Sequence, residues 1–299
     1  MPPLNWLTLS LLSAVLLGLY DFLKKSALRD NAVLPVLCGG IWAGALVWLP
    51  FILWSASDSP TLPHPALHVT GITPLSHLQL FLKSLLVVAS WIFGYVGLKS
   101  LPLTIATPIR STGPLWTIIL AVLLFHEQPS PRQWLGISLV LVSFFAFSLA
   151  GKLDGIHFHR NRAVFHILAA TLLGACSALY DKFLLQSSAL TPTEVQAWFS
   201  LYSALIMIPV LFWWRSRPER NRFHWRWSIP TIGLALLAAD LLYFTAISQP
   251  DALISLVSPV RRSAVIVSFL LGIVLLKEQH ILPKLTCILG ILAGLFLLS

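Results

Sequence analysis

TPIRSTGPLWTIILAVLLFHEQ, residues 107–128, is echoed by SPVRRSAVIVSFLLGIVLLKEQ, residues 258–279, at a constant offset of 151. Both stretches hold a proline followed two positions later by an arginine, and both end in Glu-Gln. The matched positions are Pro108 with Pro259, Arg110 with Arg261, and Glu127-Gln128 with Glu278-Gln279. This correspondence indicates an internal duplication.

Two further matches follow the same order along the chain. The tripeptide Leu-Tyr-Asp occurs at 19–21 and at 179–181, and WLGISLV (134–140) aligns with ILGILAG (288–294). We therefore predict two homologous halves, residues 1–150 and 163–299, which are joined by a linker at 151–162.

The composition excludes an ordinary soluble domain. Of the 299 residues, 57% are hydrophobic and 10% are charged, and the mean hydropathy is +0.83. Soluble domains carry about 25% charged residues. Because so few charges cannot cover a water-facing surface, the natural solvent for most of this surface is lipid.

A bilayer core requires about 20 apolar residues per helix. Ten such spans can be delimited: 4–24, 33–54, 77–98, 103–125, 133–150, 163–187, 194–214, 228–248, 252–276 and 281–299. Five spans fall in each half, and the linker does not cross, so the second half enters the membrane from the opposite side. The predicted fold is an all-α integral membrane protein of ten transmembrane helices in two inverted five-helix repeats. Such repeats are typical of secondary transporters, with the substrate near the bilayer midplane.

The sequence resembles the paired EamA domains of the drug/metabolite transporter superfamily. The resemblance rests on residues 113–141 and their counterpart 263–294, where an apolar helix ends in a glutamate and a glycine-bearing helix follows. Glu127 with Gly136, and Glu278 with Gly290, occupy those places. One departure is Val265, which stands where the first half has Pro114. The resemblance implies transport of a small metabolite, with export as the commoner direction.

The positive charges predict an orientation. The odd-numbered connections carry fourteen lysines and arginines, whereas the even-numbered ones carry Arg132 alone. The positive-inside rule therefore places the odd connections in the cytoplasm and both termini outside. The resemblance implies the reverse, with both termini in the cytoplasm. We give the charge asymmetry more weight, and we expect a multi-pass protein of the cell (inner) membrane.

Charged residues deep in a span cost about 2.5–3.5 kcal/mol each, so they usually face the bundle interior. Asp240 and Arg261 are the deepest, and Tyr243 shares the helix face of Asp240. They are candidates for a substrate-contacting or gating group, and a salt bridge that only orders two helices is the alternative. Arg110 and Arg261 would attract anionic groups and Asp240 cationic ones. Arg262 aligns with Ser111 and is expected to lie outside the symmetric design.

The doubled tripeptide supplies Tyr20, Asp21, Tyr180 and Asp181. A buried carboxylate with a raised affinity for protons could couple transport to a proton gradient. The alternative, which we favour, pairs each aspartate with the lysine that follows it, Lys24 or Lys182. Inversion predicts that the two aspartates lie near opposite membrane faces, as gates or anchors.

Other candidates have ordinary explanations beside the functional one. Trp91 and Tyr95 share a helix face and could line a cavity or pack against helices or lipid. Glu127 and Glu278 are expected to contact water or to cap the next helix. The linker stretch HFHR (157–160) has no nearby partners for a metal site, so we expect no metal ligand there.

Catalytic motifs and nucleotide fingerprints are missing from the sequence, so no catalytic residue and no cofactor are predicted. We therefore predict a secondary transporter of a small metabolite such as an amino acid, by alternating access, with the lipid bilayer and the substrate as partners and no nucleic acid. The alternatives are a membrane-embedded enzyme and a non-transporting helix-bundle subunit. The latter would contain no cavity.

Overall fold

The computed structural model describes residues 4–28, 30–57, 67–100, 109–110, 112–149, 162–188, 190–217, 222–264, 266–267, 270–271 and 281–298. Within those ranges the chain forms ten α-helices and no strand. They are α1 (Trp6–Leu28), α2 (Val33–Ser55), α3 (Pro74–Ser100), α4 (Gly113–Phe125), α5 (Pro131–Leu149), α6 (Arg162–Lys182), α7 (Pro192–Arg215), α8 (Ser228–Ile247), α9 (Ile254–Arg262) and α10 (Ile281–Leu298). Helix α6 continues into a π-helical turn, Phe183–Ser187. The all-helical class is confirmed for the part of the chain that the structure describes.

Six of these helices are long and apolar enough to cross a membrane: α1, α2, α3, α6, α7 and α8. Two shorter apolar helices lie at Gly113–Phe125 and Thr286–Leu298. Helices α4 and α9 fall within the fourth and ninth predicted spans, 103–125 and 252–276, parts of which lie outside the described residues. Most of the predicted linker (151–161), Glu278, Val265 and the HFHR histidines lie outside the described residues, whereas Arg162 begins α6.

Helix α4 begins, and helix α9 ends, at equivalent positions of the sequence match. The amide and the hydroxyl of Thr112 both donate to the Ile109 carbonyl oxygen, at 3.1 and 2.6 Å. The amide and the hydroxyl of Ser263, 151 residues later, donate in the same way to Val260, at 3.1 and 2.6 Å. A hydroxyl that bonds the preceding turn competes with the helix hydrogen bonds. Thr112 and Ser263 follow Arg110 and Arg261 by two residues, so a helix end lies beside each of these two matched arginines.

The pairing of helices follows the same internal correspondence. The contact of α1 with α8 corresponds to that of α6 with α3. The contact of α2 with α8 corresponds to that of α7 with α3, and the contact of α4 with α6 to that of α9 with α1. The remaining large contacts join corresponding helices of the two halves: α2 with α7, α4 with α9, and α5 with α10.

Each of these corresponding pairs runs antiparallel. In α2 and α7, Trp42 donates to the Ala204 carbonyl oxygen at 3.1 Å, and Cys38, one turn earlier, to that of Met207. The end of α4 contacts the start of α9 through Glu127 and Ile254. In α5 and α10, the order of contacts also reverses, because Arg132 bonds the Phe296 carbonyl oxygen whereas Ser143 lies against Gly290.

Glycines permit the closest helix crossings. A Cβ built on Gly233 of α8 would lie 2.0 Å from the Gly40 carbonyl oxygen of α2, and one on Gly136 would lie 2.9 Å from that of Gly294. Small residues let helix backbones approach where lipid gives no hydrophobic drive for association. The glycines in α5 and α10, the fifth helix of each predicted half, are therefore explained by the close approach of these two helix backbones.

Apolar side chains cover the outside of the bundle. Phe212, Leu46, Val142 and Phe296 are 69%, 66%, 65% and 71% exposed. Polar and charged side chains, by contrast, are buried between the helices, and Lys83, Glu127, Asp181 and Asp240 are among them. This distribution is that of a protein whose outer surface faces lipid and whose polar groups face inward.

Candidate substrate site

A cavity of about 270 Å³ lies between the two halves of the chain. Side chains of α1, α3, α4, α6, α8 and α9 line it, and α7 adds Phe199. Among the described residues its wall carries three carboxylates, Asp21, Asp181 and Asp240, and five cations, Lys24, Lys83, Arg110, Arg261 and Arg262. A cavity of this size and charge in an apolar bundle suits a small polar ligand.

Most of the predicted site residues meet at this cavity. Those that line it are Tyr20, Asp21, Trp91, Arg110, Asp181, Asp240, Tyr243 and Arg261. Tyr180 does not appear among the lining residues; its ring stacks on Phe183 at 5.8 Å between centroids. The side chain of Tyr95 lies outside the described part of the chain.

Asp240 and Arg261 form the predicted ion pair between α8 and α9. The guanidinium of Arg261 also lies over the ring of Tyr243, 4.0 Å from its centroid. Cation–π contact and the carboxylate together fix this arginine in one orientation. Because its charge is already neutralised by Asp240, Arg261 is less available to an anionic ligand than the sequence suggested.

The predicted pairing of Asp181 with Lys182 is wrong, because Asp181 forms its ion pair with Lys83 of α3. The two side chains are 6% and 2% exposed, and the Lys83 ammonium lies 4.3 Å from the Phe199 ring centroid and 5.0 Å from that of Phe244. The sequence-based interpretation missed Lys83, although a lysine inside a span meets the same criterion that selected Asp240. The partner lies 98 residues away, so local spacing could not reveal it.

Asp21 pairs with Lys24 at 2.7 Å, as predicted, and the two side chains are 44% and 20% exposed. Asp21 and Asp181 line the same cavity, and their position near opposite membrane faces stays a prediction. They differ in depth, because Asp181 is buried and Asp21 is half exposed. Within this cavity, the side chain of Asp21 is therefore more accessible to solvent than that of Asp181.

Glu127 is buried and caps a helix, but not the next one along the chain. Its carboxylate accepts hydrogen bonds from the amides of Ile254 and Ser255 at 2.8 and 2.9 Å, and from the Ser255 hydroxyl. It also forms an ion pair with Lys182 of α6 at 2.5 Å. A negative charge at a helix start interacts favourably with the helix dipole. Glu127 therefore joins α4 to both α6 and α9, and the predicted contact with water is wrong.

A small side pocket of about 30 Å³ adjoins the main cavity and shares Trp91, Phe199, Leu236 and Asp240 with it. Gln196 Oε1 and the Ser203 hydroxyl, both buried, line or face it without a hydrogen-bond partner in the described structure. The volume is enough for one water molecule or a small polar substituent. Buried polar groups are normally satisfied, so these two indicate a place for a hydrogen-bonding group.

A family model for the EamA-like transporter family matches residues 4–149 and again 161–299. The fold and the charged cavity thus define a helical membrane protein with a polar site in its interior. The chain belongs to the EamA-like transporter family, and the resemblance drawn from the repeat is confirmed.

Similar proteins fall in the same superfamily. One is an S-adenosylmethionine uptake transporter of Rickettsia prowazekii (strain Madrid E), 26% identical over 207 residues, 69% of this chain and 64% of that protein. Another is a probable 4-amino-4-deoxy-L-arabinose-phosphoundecaprenol flippase subunit ArnE of Salmonella paratyphi B (strain ATCC BAA-1250 / SPB7), 36% identical over 67 residues, 22% of this chain and 60% of that protein. The matches thus span less than two thirds of either relative.

A solved crystal structure shares the fold over almost the whole chain. The TM-score is 0.74 at 14% sequence identity, and the match covers 98% of this chain and 97% of that one. At this identity the comparison supports the fold alone.

Proposed function

We propose that the chain is a secondary transporter that exports a small polar metabolite, such as an amino acid, across the inner membrane. The observation that carries the proposal is the charged cavity of about 270 Å³ formed by helices of both halves. A non-transporting helix bundle would need no such cavity. The named relatives are transporters or flippase subunits, which favours transport over an enzymatic reaction.

Alternating access requires two units that can move about a central site. We assign these units to residues 1–150 and 163–299, ten crossings in all, related by inversion. The proposal is supported by the family matches to 4–149 and 161–299, by the antiparallel pairing of corresponding helices, and by the equivalent helix ends at Thr112 and Ser263.

The substrate site is assigned to Arg110, Asp240, Tyr243, Arg261, Trp91 and Tyr95, of which all but Tyr95 are described as lining the cavity. Tyr20, Asp21, Tyr180 and Asp181 are assigned to gating or proton coupling. Because Asp181 is buried against Lys83, proton binding there would release the lysine and weaken the contact between α3 and α6. This gives a physical route from protonation to helix movement.

Counterflow in proteoliposomes tests this function. Purified protein is reconstituted with an unlabelled metabolite inside, and uptake of the labelled compound is followed for a panel of amino acids and related metabolites. We expect one chemical class to exchange, and Asp240→Asn to reduce its exchange by about tenfold or more, the loss expected for one charge-assisted contact. Asp251→Asn, an exposed loop carboxylate, is the matched control. Exchange no faster than in empty liposomes for every compound would contradict the proposal.

A further inference from the structure

We propose that Arg110 and Arg262 form an oxyanion subsite, so that the transported substrate carries a carboxylate or a phosphate group. This inference rests on the proposed function, because it names the chemical class of the ligand for the same cavity. It also reverses the expectation from sequence, in which Arg261 was the second anion-binding arginine and Arg262 was left out.

The first argument is the pairing of charges. The three carboxylates of the cavity wall form ion pairs with Lys24, Lys83 and Arg261. Arg110 and Arg262 remain, and no ion pair to either is found among the described residues. Both side chains are exposed, and both line the cavity.

The second argument is the proximity of these two positive charges. Both arginines lie near enough to Asp21 for a Coulomb interaction with its carboxylate, and near enough to repel each other. The hydrogen bond of Asp21 goes to Lys24. Like charges held near each other in a membrane-embedded cavity repel more strongly than in water. An anion placed between them removes this repulsion and compensates both charges, whereas a cation would increase it.

The third argument is the polypeptide backbone around the arginines. The Nη2 atom of Arg262 lies 3.6 Å from the position of a Cβ built on Gly113, the first residue of α4. Gly113 lines the cavity, and α4 begins there without a side-chain cap. The partial positive charge of a helix start adds to the two guanidiniums and favours an anion at the same place.

The chemistry of the guanidinium defines the group that fits. Its planar N–H fork matches two oxygens of a carboxylate or a phosphate, which a lysine ammonium cannot do. The adjoining side pocket, with Asp240, Gln196 Oε1 and the Ser203 hydroxyl, offers acceptors and a hydroxyl. A ligand that spans both regions has an oxyanion at one end and a hydrogen-bond donor at the other.

The test measures anion binding without transport. The thermal unfolding midpoint of the purified protein is followed against sodium phosphate and, separately, sodium acetate, with ionic strength matched by sodium chloride. Ligand that binds the folded state raises the midpoint. We expect stabilisation by at least one of the two anions, and the stronger one identifies the substrate group as phosphate or carboxylate. No stabilisation by either anion would overturn the proposal.

Variants distinguish this subsite from general attraction to a basic protein. Arg110→Gln and Arg262→Gln should each weaken the apparent affinity by about tenfold or more, as expected for loss of one charged contact. Arg262→Lys retains the charge but not the fork, and its affinity should lie between those of the wild type and Arg262→Gln. Arg217→Gln, an exposed arginine that lies 4.5 Å over the Trp213 ring after α7, should leave binding unchanged. Equal binding by the wild type and both glutamine variants would overturn the proposal.

Two further experiments distinguish a substrate subsite from a lipid-headgroup site and from a failure of the transport function. Loss of the anion effect in nanodiscs that contain phosphatidylglycerol, with retention in phosphatidylcholine, would assign the arginines to a lipid headgroup and overturn the proposal. Counterflow with phosphorylated, carboxylated and uncharged compounds judges the function independently. If an uncharged compound is exchanged equally by wild type and Arg262→Gln, transport stands and the oxyanion subsite fails. If anions bind as expected but no compound exchanges, the subsite stands and the transport function fails.

Discussion

Lys83 of α3 and Asp181 of α6 form an ion pair in which both side chains are almost fully buried, at 2% and 6% exposure. It joins a helix of the first half to a helix of the second, on the wall of the cavity. The aromatic rings of Phe199 and Phe244 flank the ammonium. Because both charges are removed from water, each depends on the other for compensation.

Removal of one member of this pair should destabilise the protein strongly. Lys83→Met and Asp181→Asn are each expected to lower the free energy of unfolding by about 3–5 kcal/mol, since a buried charge is left uncompensated. The double variant should recover a large part of that loss. Denaturant titration of the detergent-solubilised protein measures the cycle. Additive losses in the double variant would contradict the coupling.

The partly exposed pair of Asp21 and Lys24, on the wall of the same cavity, is the matched control. Lys24→Met removes the partner of Asp21, whose side chain is 44% exposed. We expect a change of about 1 kcal/mol or less, because solvent screens the remaining charge. An effect as large as that of Lys83→Met would show that burial does not determine the strength of these pairs.

Glu127 should behave as a structural junction. Glu127→Gln removes the ion pair to Lys182 and weakens the hydrogen bonds to Ile254 and Ser255, so a loss of about 3 kcal/mol is expected. The neighbouring Gln128 is exposed, and Gln128→Ala should change the unfolding free energy by less than about 0.5 kcal/mol. The same denaturant titration compares the two variants, and equal effects would contradict the assigned role.

The side pocket predicts a trade-off between stability and transport. Gln196→Leu replaces a buried amide that has no partner for its Oε1 atom, so the empty protein should become more stable by about 1 kcal/mol or more. Exchange of the transported compound should fall, because a hydrogen-bonding group is lost from the cavity. Gln128→Leu, at an exposed position, should alter neither property. A Gln196→Leu protein that is less stable and fully active would contradict this interpretation.

Orientation is testable by labelling. Single cysteines at Ser57 after α2 and Ser216 after α7, in a background without Cys38, Cys176 and Cys287, are exposed to a thiol reagent that cannot cross the membrane. The charge asymmetry predicts reaction at Ser57→Cys alone in intact cells. Reaction at Ser216→Cys alone would mean that both termini are cytoplasmic.

The apolar runs and the internal sequence matches made the all-helical class predictable. The matches at offsets of 151 and 160 indicated two helical halves, and the same spacing recurs in the hydroxyl contacts of Thr112 and Ser263. The lining of the cavity was predictable where a charge lay deep in a span, as for Asp240 and Arg261. The partners of Asp181 and Glu127 were not, because Lys83 and Ser255 lie 98 and 128 residues away and reach them only through helix packing. Arg262 was set aside because Ser111 stands at its counterpart in the sequence match, although Arg262 lines the cavity.

Alkylation of the cavity wall tests the central claim most directly, namely that this cavity is the transport route. Ser177 of α6 is buried and lines the cavity, whereas Leu234 of α8 is 45% exposed on the outside of the bundle. Counterflow of the exchanged metabolite is measured for Ser177→Cys and Leu234→Cys, in a background without the native cysteines, before and after treatment with a small membrane-permeant thiol reagent. The account predicts that modification of Ser177→Cys abolishes exchange, that excess substrate protects it, and that modified Leu234→Cys remains active. Full exchange by a Ser177→Cys protein shown by mass spectrometry to be modified would contradict it.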